Sequence, residues 1–210
     1  MSDNFATIAS QLVETATGFY ARGWVLGTSG NLSAVVTRDP LRLAITPSGA
    51  DKGALHPNQI ILIDDRGRTV EDAPGKPSDE CPLHIRIAQE RNAGAVLHSH
   101  SVWSTMLSDF YFDDGGVTIE GYEMLKGLAG VKTHEHREWL PILENSQDMP
   151  ALADRVAGKL AEQPEAHGFL LRRHGLYTWG SDLAQAKRHV EIIEFLLETL
   201  GRTVLASGGR

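Results

Sequence analysis

Two histidines spaced i, i+2 end a short apolar run, AVLHSH, at residues 95–100. If this run is a β-strand, the imidazoles of His98 and His100 project from the same face, because side chains alternate across a strand. A third histidine, His174, follows another apolar run of strand type in FLLRRHG. Three neutral imidazoles that meet at strand ends can hold a zinc ion whose fourth position stays open for water or substrate. The spacing therefore favours a catalytic metal site over three unrelated polar residues.

A rival histidine pair, His134 and His136, has the same spacing in the segment THEH. Its neighbours Lys132, Glu135 and Arg137 are charged, which is typical of a solvated surface. The pattern therefore predicts that this second pair is exposed and does not bind the metal.

Two turns could hold an oxyanion, GTSGN at 27–31 and TPSG at 46–49. Glycine lets backbone N–H groups come close to a phosphate, and Ser or Thr hydroxyls add donors. Ser78, at the start of a predicted helix, is a third such element. Turns of this composition are common and most bind nothing, so a plain turn remains an open alternative for each. Lys52 follows the second turn and is expected to be exposed.

Two glutamates, Glu80 and Glu123, are the candidate acid–base residues. A metal-assisted enediolate reaction needs a carboxylate within reach of the acidic C–H of the substrate. Both glutamates lie in the first turn of a predicted helix, where the helix dipole also favours an acid. The positions alone thus leave a catalytic and a purely structural role open.

The composition is that of an ordinary globular protein. The chain has 210 residues, 41% hydrophobic and 22% charged, which suits one domain over residues 1–210. A formal net charge of −7 argues against a nucleic-acid partner. A single cysteine excludes an internal disulfide framework and a cysteine-built zinc site. Neither a secretion signal nor a membrane span is indicated, so a cytoplasmic protein is expected.

Hydrophobic periodicity and turn residues predict an α/β chain with a mixed, largely antiparallel sheet covered on both faces. Ser78 is expected to cap its helix, Gly201 to end the last helix, and a tail of about 203–210 to fray. The predicted helices are 4–22, 79–92, 101–107, 121–130, 150–161 and 182–200. The predicted strands are 32–36, 41–45, 60–64, the run ending in His98, 116–120, 138–143, 168–172 and 176–179.

Seven segments in this order resemble the class II aldolase family: GTSGNLS, ITPSG, KPSDE, NAGAVLHSHSVWS, GYEMLKG, NSQDMPALA and RRHGLYTWG. The resemblance covers nearly the whole chain and implies a single three-layer α/β/α domain. It implies one Zn²⁺ per subunit, held by His98, His100 and His174, with Glu123 as the acid–base residue. Glu80 and Cys81 are secondary candidates, for catalysis and for substrate contact. The phosphate of the substrate would lie among Ser29, Gly30, Asn31, Thr46, Ser48 and Gly49, with Ser78 nearby.

HSHSVWS, EMLKG and HGLYTWG are similar to the dehydratase branch of that family. This similarity implies dehydration of 5-methylthioribulose 1-phosphate to 2,3-diketo-5-methylthiopentyl 1-phosphate in methionine salvage, through a metal-stabilised enediolate. It also implies a homotetramer with sites near subunit interfaces. A sugar-phosphate aldolase or pentulose-phosphate 4-epimerase with the same three-histidine site is the alternative. Fe²⁺ or Mn²⁺ could replace zinc, and a fourth protein ligand would favour a structural zinc in a scaffold.

Overall fold

The computed structural model describes residues 3–70 and 73–208 and places eight strands of this part of the chain in one sheet. The strand order is β3-β2-β1-β4-β8-β7-β6-β5. All neighbouring strands are antiparallel except β6 and β7, which are parallel. The strands are β1 (Asn31–Arg38), β2 (Leu41–Ile45), β3 (Ile61–Asp64), β4 (Ala95–Ser99), β5 (Gly116–Glu120), β6 (Arg137–Leu143), β7 (Gly168–Leu171) and β8 (Gly175–Gly180).

Helices cover both faces of the sheet, because alternate strand side chains point to opposite faces and both sets are apolar. The α-helices are α1 (Asp3–Ala21), α2 (Cys81–Glu90), α3 (Val102–Phe110), α4 (Met149–Glu162) and α5 (Leu183–Ala206). Short 3₁₀ helices cover Pro57–Gln59, Phe112–Asp114 and Glu123–Gly127. On one face, α2 and α4 pack on Val96 and Phe169; on the other, α1, α3 and α5 pack on Leu97 and Leu170. The three-layer α/β/α prediction is confirmed.

Four predicted helices have wrong bounds. The helix expected over 101–107 is α3, which continues to Phe110. The helix expected over 79–92 is α2, Cys81–Glu90, and Glu80 occupies its cap position. Ser78 therefore lies outside the cap, although its hydroxyl accepts the backbone N–H of Glu80 at 3.2 Å. The helix expected over 121–130 is only the 3₁₀ turn Glu123–Gly127, because Gly121 and Gly130 bracket it with positive φ angles.

The fourth difference lies in α5, which continues through Gly201 to Ala206. Gly201 is buried where the ring of Trp103 crosses the helix, so its missing side chain provides space for that ring and does not end the helix. The tail expected to fray from about residue 203 is therefore helical to Ala206, and residues 209–210 lie outside the described residues. No helix of the described residues is long and apolar enough to cross a membrane.

Candidate metal centre and active site

The three predicted ligand histidines meet at one end of the sheet, which we call the metal end. His98 lies in β4 and His100 directly follows it, so strand alternation turns both rings to one side. His174 lies in the tight turn between β7 and β8. Because β8 pairs with both β4 and β7, that turn is brought against the end of β4.

The Nε2 atoms of the three histidines lie close together. The distance is 2.7 Å between His98 and His100, 3.3 Å between His98 and His174, and 3.1 Å between His100 and His174. The Nδ1–H of His98 donates to the carbonyl of Leu176 at 3.0 Å, and that of His174 to Oδ1 of Asn145 at 3.3 Å. In these tautomers the Nε2 lone pairs of His98 and His174 face one another, which is the arrangement that a cation requires.

Burial keeps the three imidazoles neutral. It lowers the pKa of His98 well below its ordinary value and the pKa of His100 to about 4, and it also lowers the pKa of His174. The three rings therefore carry no positive charge near neutral pH that would repel a cation. Zinc binds imidazole nitrogen at about 2.0–2.1 Å, so three nitrogens at these separations fit one ion.

An aromatic stack holds the ring of His98. The ring of Tyr177 lies parallel to it with centroids 3.9 Å apart, and Phe169 stacks on Tyr177 at 5.1 Å. A Cβ at Gly30, which has a φ of +68°, would come within 2.7 Å of the carbonyl oxygen of His98. A Cβ at Gly175 would overlap the carbonyl of Ser99. Close backbone approach thus explains both glycines.

Glu80 lies beside the histidine group. Its Oε1 is 3.6 Å from Nε2 of His98 and 3.3 Å from Nε2 of His174. Its Oε2 accepts a hydrogen bond from Nδ2 of Asn31 at 2.5 Å. The carboxylate therefore faces the space that a bound ion or substrate would share.

A buried chain of hydrogen bonds fixes this carboxylate. The Ser33 hydroxyl contacts Nδ1 of His84 at 2.7 Å, Nε2–H of His84 donates to Oδ1 of Asn31, and the Asn31 amide donates to Glu80. Full burial lowers the pKa of His84 to about 3, so this ring is neutral and can donate at one nitrogen while it accepts at the other. No local sequence pattern indicates a role for His84, because its partners come from a distant strand.

Lys52 is buried, so the expectation that it is exposed was wrong. Its Nζ donates to the carbonyls of Thr28 at 3.2 Å and Ala50 at 3.0 Å, and so joins the two glycine-containing turns. Burial lowers the pKa of Lys52 to about 8. A buried cation, near which the carboxylates of Asp51 and Glu80 also act, therefore lies between the two turns that were considered for a phosphate.

The predicted phosphate residues have different surroundings. The Thr46 hydroxyl is buried and accepts the backbone N–H of Leu32 at 3.1 Å, and the Ser29 hydroxyl donates to Leu26. The amide of Asn31 also reaches Oγ of Ser78 at 3.2 Å. Gly30 is buried, whereas Ser48 and Gly49 are exposed.

Cys81 is buried in the core, where burial raises the pKa of its thiol to about 12. This thiol is therefore protonated and packed among apolar side chains. The substrate contact implied for Cys81 stays a prediction.

Glu123 does not lie with the histidines of its own chain. It follows β5, whose last residue pairs with the first residue of β6, and β6 runs parallel to β7. Because His174 follows the last residues of β7, Glu123 and His174 lie at opposite ends of the sheet. The side chain of Glu123 is 72% exposed and forms an ion pair with Lys126.

The family follows from a comparison with known proteins. A model of the class II aldolase and adducin N-terminal domain matches residues 10–200. The chain belongs to this family. A methylthioribulose-1-phosphate dehydratase of Sorangium cellulosum is 41% identical over 196 residues, which are 93% of this chain and 92% of the relative. The enzyme of the same name from Pseudomonas aeruginosa is 42% identical over 200 residues, or 94% of this chain and 95% of the relative.

Two solved structures have the same fold. An L-fuculose 1-phosphate aldolase superposes with a TM-score of 0.78, with 22% identity over 100% of this chain and 90% of that chain. YgbL from Escherichia coli superposes with a TM-score of 0.75, with 25% identity over 93% of this chain and 88% of that chain. The resemblance to class II aldolases and the expected lyase class are confirmed by these relatives.

Proposed function

We propose that the chain dehydrates 5-methylthioribulose 1-phosphate to 2,3-diketo-5-methylthiopentyl 1-phosphate, a step of methionine salvage. The main support is the convergence of three neutral Nε2 atoms beside a fixed carboxylate, in a chain similar to dehydratases of that name. The dehydration conserves the carbon skeleton: a proton leaves C3, hydroxide leaves C4, and the resulting enol becomes a ketone.

His98, His100 and His174 would hold one Zn²⁺. Bound there, the ion would polarise the C2 carbonyl and balance the negative charge of the enediolate. Three imidazoles leave at least one position for substrate. Glu80 contacts two of the three histidines, and its second oxygen is bound by Asn31, so we assign it a role toward the substrate and not that of a permanent fourth ligand.

Lys52 and the turns 27–31 and 46–49 would bind the phosphate. Two backbone carbonyls share the positive charge of the buried Lys52, and the exposed Ser48 and Gly49 offer donors at the rim. Binding energy from the phosphate would hold C2 and C3 beside the histidines, at a distance from the bonds that change.

The acid–base residues would be Glu80 and Glu123, from different chains. Glu80 is within reach of a substrate at the histidines of its own chain, whereas the exposed Glu123 lies at the far end of the sheet. Glu123 can therefore serve only the site of a neighbouring subunit. Exposed apolar side chains on α3 and α5, among them Val102, Met106 and Leu205, support such an assembly. The homotetramer and the cytoplasmic location stay predictions.

An aldolase or epimerase with the same site is the second candidate, favoured by the position of Glu80 beside the histidines. The substrate 5-methylthioribulose 1-phosphate distinguishes the reactions, because dehydration gives one product lighter by a water molecule and aldol cleavage gives two fragments. We expect the single lighter product, detected by mass spectrometry. Chelation should abolish the reaction and Zn²⁺ should restore it.

His174→Asn should also abolish turnover, because the ion would lose one of its three ligands. Aldol fragments would favour the second candidate. Turnover that survives complete removal of divalent metal would contradict both.

A further inference from the structure

A second cluster of histidine and carboxylate side chains lies at the far end of the sheet, where β6 and β7 begin. His136 directly precedes β6, Glu138 is its second residue, and His167 directly precedes β7. His174 follows the other end of β7, so this cluster is separate from the metal end. The prediction that His136 is exposed was wrong, because its side chain is 28% exposed and contacts the buried Glu138. His134 is exposed, as predicted.

Two imidazoles point at one carboxylate oxygen. Nε2 of His136 lies 2.8 Å and Nδ1 of His167 lies 2.9 Å from Oε2 of Glu138. The other oxygen, Oε1, accepts the backbone N–H of His167 at 3.0 Å. The three candidate ligand atoms all lie within 4.8 Å of one another, which allows one ion to contact all of them.

The hydrogen bond at Nε2 of His167 decides whether Nδ1 of the same ring carries a proton. Its Nε2 lies 2.8 Å from the carbonyl of Ala129, to which it must donate. A neutral His167 then has a lone pair on Nδ1, and this lone pair faces the lone pairs of Oε2. Two acceptors at 2.9 Å repel each other unless a proton or a metal cation lies between them.

The Ala129 peptide is held from both sides. Its N–H donates to Nε2 of His189 at 3.1 Å, and Nδ1–H of His189 donates to the carbonyl of Trp179 at 2.7 Å. His189 is thus neutral and fixed, and it positions the carbonyl that sets the tautomer of His167. Metal-binding histidines commonly have such a backbone carbonyl on the second nitrogen.

We propose that Nε2 of His136, Nδ1 of His167 and the carboxylate of Glu138 form a second site for a divalent cation of the zinc type. Two imidazoles and one glutamate are a known zinc ligand set. The partly exposed His136 gives the ion a path from solvent. The cation would join the first residues of β6 and β7 and, through Ala129, the segment that carries Glu123. Its role is structural, and it does not depend on the reaction at the metal end.

The test uses Zn²⁺ itself and a background that lacks the first site. The His98→Asn/His100→Asn protein is freed of metal, equilibrated with Zn²⁺ and separated from unbound ion before elemental analysis. We expect it to retain about one zinc per chain. Adding Glu138→Gln should weaken that binding by at least about tenfold. Zinc should also raise the melting temperature of the background, and Glu138→Gln should remove this shift.

Two further variants make the result decisive. Glu138 is buried, so Glu138→Gln can fail to fold. His136 is partly exposed, so His136→Asn should fold and should lose the zinc. His134→Asn changes the exposed histidine of the same segment and should keep it. Two results would contradict the proposal: the His98→Asn/His100→Asn protein retains no zinc, or its zinc survives the substitutions of Glu138 and His136. Either result would show that only a proton joins His167 to Glu138. Turnover of the wild-type chain is measured separately, so this outcome leaves the proposed reaction unaffected.

Discussion

The orientation of each converging imidazole depends on the partner of its second nitrogen. His98 donates to a backbone carbonyl between two buried strands, so its orientation is fixed by the sheet. His174 donates to the side chain of Asn145, which follows β6 and can be changed without disturbing a strand. Asn145 is therefore the residue at which the support of the metal site can be tested separately.

Asn145→Ala should weaken zinc binding by about 10–100-fold while leaving the ligands in place, because the His174 ring loses the partner that fixes its tautomer. Competition with a chromophoric chelator measures the change. Gln147→Ala, an exposed change two residues away, is the control. Equal affinities in the two variants would show that the turn between β7 and β8 alone orients His174.

Among the helices, the packing of α5 against α3 depends on Gly201, whose lack of a side chain leaves space for the Trp103 ring. Gly201→Ala should destabilise the protein by about 1–3 kcal/mol, because the new methyl group would overlap the Trp103 ring. Gly158→Ala in α4 should instead stabilise it by about 0.5–1 kcal/mol, since that position is exposed and no described heavy atom lies within 4 Å of the added Cβ. Urea unfolding measures both, and a stabilised Gly201→Ala protein would contradict the packing.

The sequence predicted those elements whose pattern is local. Strand alternation placed His98 and His100 on one face, and apolar periodicity gave the sheet, because both signals lie within a few residues. Gly201 misled the prediction of a helix end, since the reason for the glycine is a tryptophan far away in the chain. A glycine after an apolar stripe can either end a helix or make room for a packed side chain, and the local sequence does not distinguish the two.

Residues that depend on distant partners could not be predicted. Lys52 is buried only because two turns fold over it, and Glu138 meets His167 across the start of two strands. The chain of contacts from Ser33 to Glu80 likewise joins β1 to the start of α2. The convergence of His98, His100 and His174 was therefore predictable from spacing, whereas the groups that orient and surround them were not.

The whole molecule should become less stable in acid, in part through His84. The folded-state pKa of His84 is about 3, below its ordinary value of 6.5, because the ring is fully buried. Between these values the unfolded chain binds a proton that the folded chain does not, so the free energy of unfolding falls as the pH falls below 6.5. Each pH unit contributes up to about 1.4 kcal/mol for this residue.

Urea unfolding of metal-free protein at several pH values between 7 and about 5 checks this. His84→Gln should lower stability near neutral pH but give a flatter pH dependence than the wild type, whereas the exposed change His134→Gln should leave the slope unchanged. An unchanged slope in the His84 variant would mean that this ring is protonated in the folded state.

If each active site combines residues of two subunits, a mixture of two inactive variants should regain activity. Glu123→Gln and His98→Asn should each be inactive as pure proteins. If Glu123 serves a neighbouring chain, unfolding and refolding them together should recover roughly a quarter of wild-type turnover, because some sites then combine two intact residues. Hybrids without activity would show that Glu123 does not act in a neighbouring site.

The position of β8 also has a consequence for how the chain folds. Strands β1 to β4 form one contiguous block and β5 to β7 another, and β8, synthesised after both, lies between β4 and β7. Until β8 is inserted, each block has an unpaired strand edge, which is prone to mispairing with other chains. Such late, non-local pairing predicts slow folding. Because His174 directly precedes β8, the same step that closes the sheet would bring the third histidine of the proposed metal site into place.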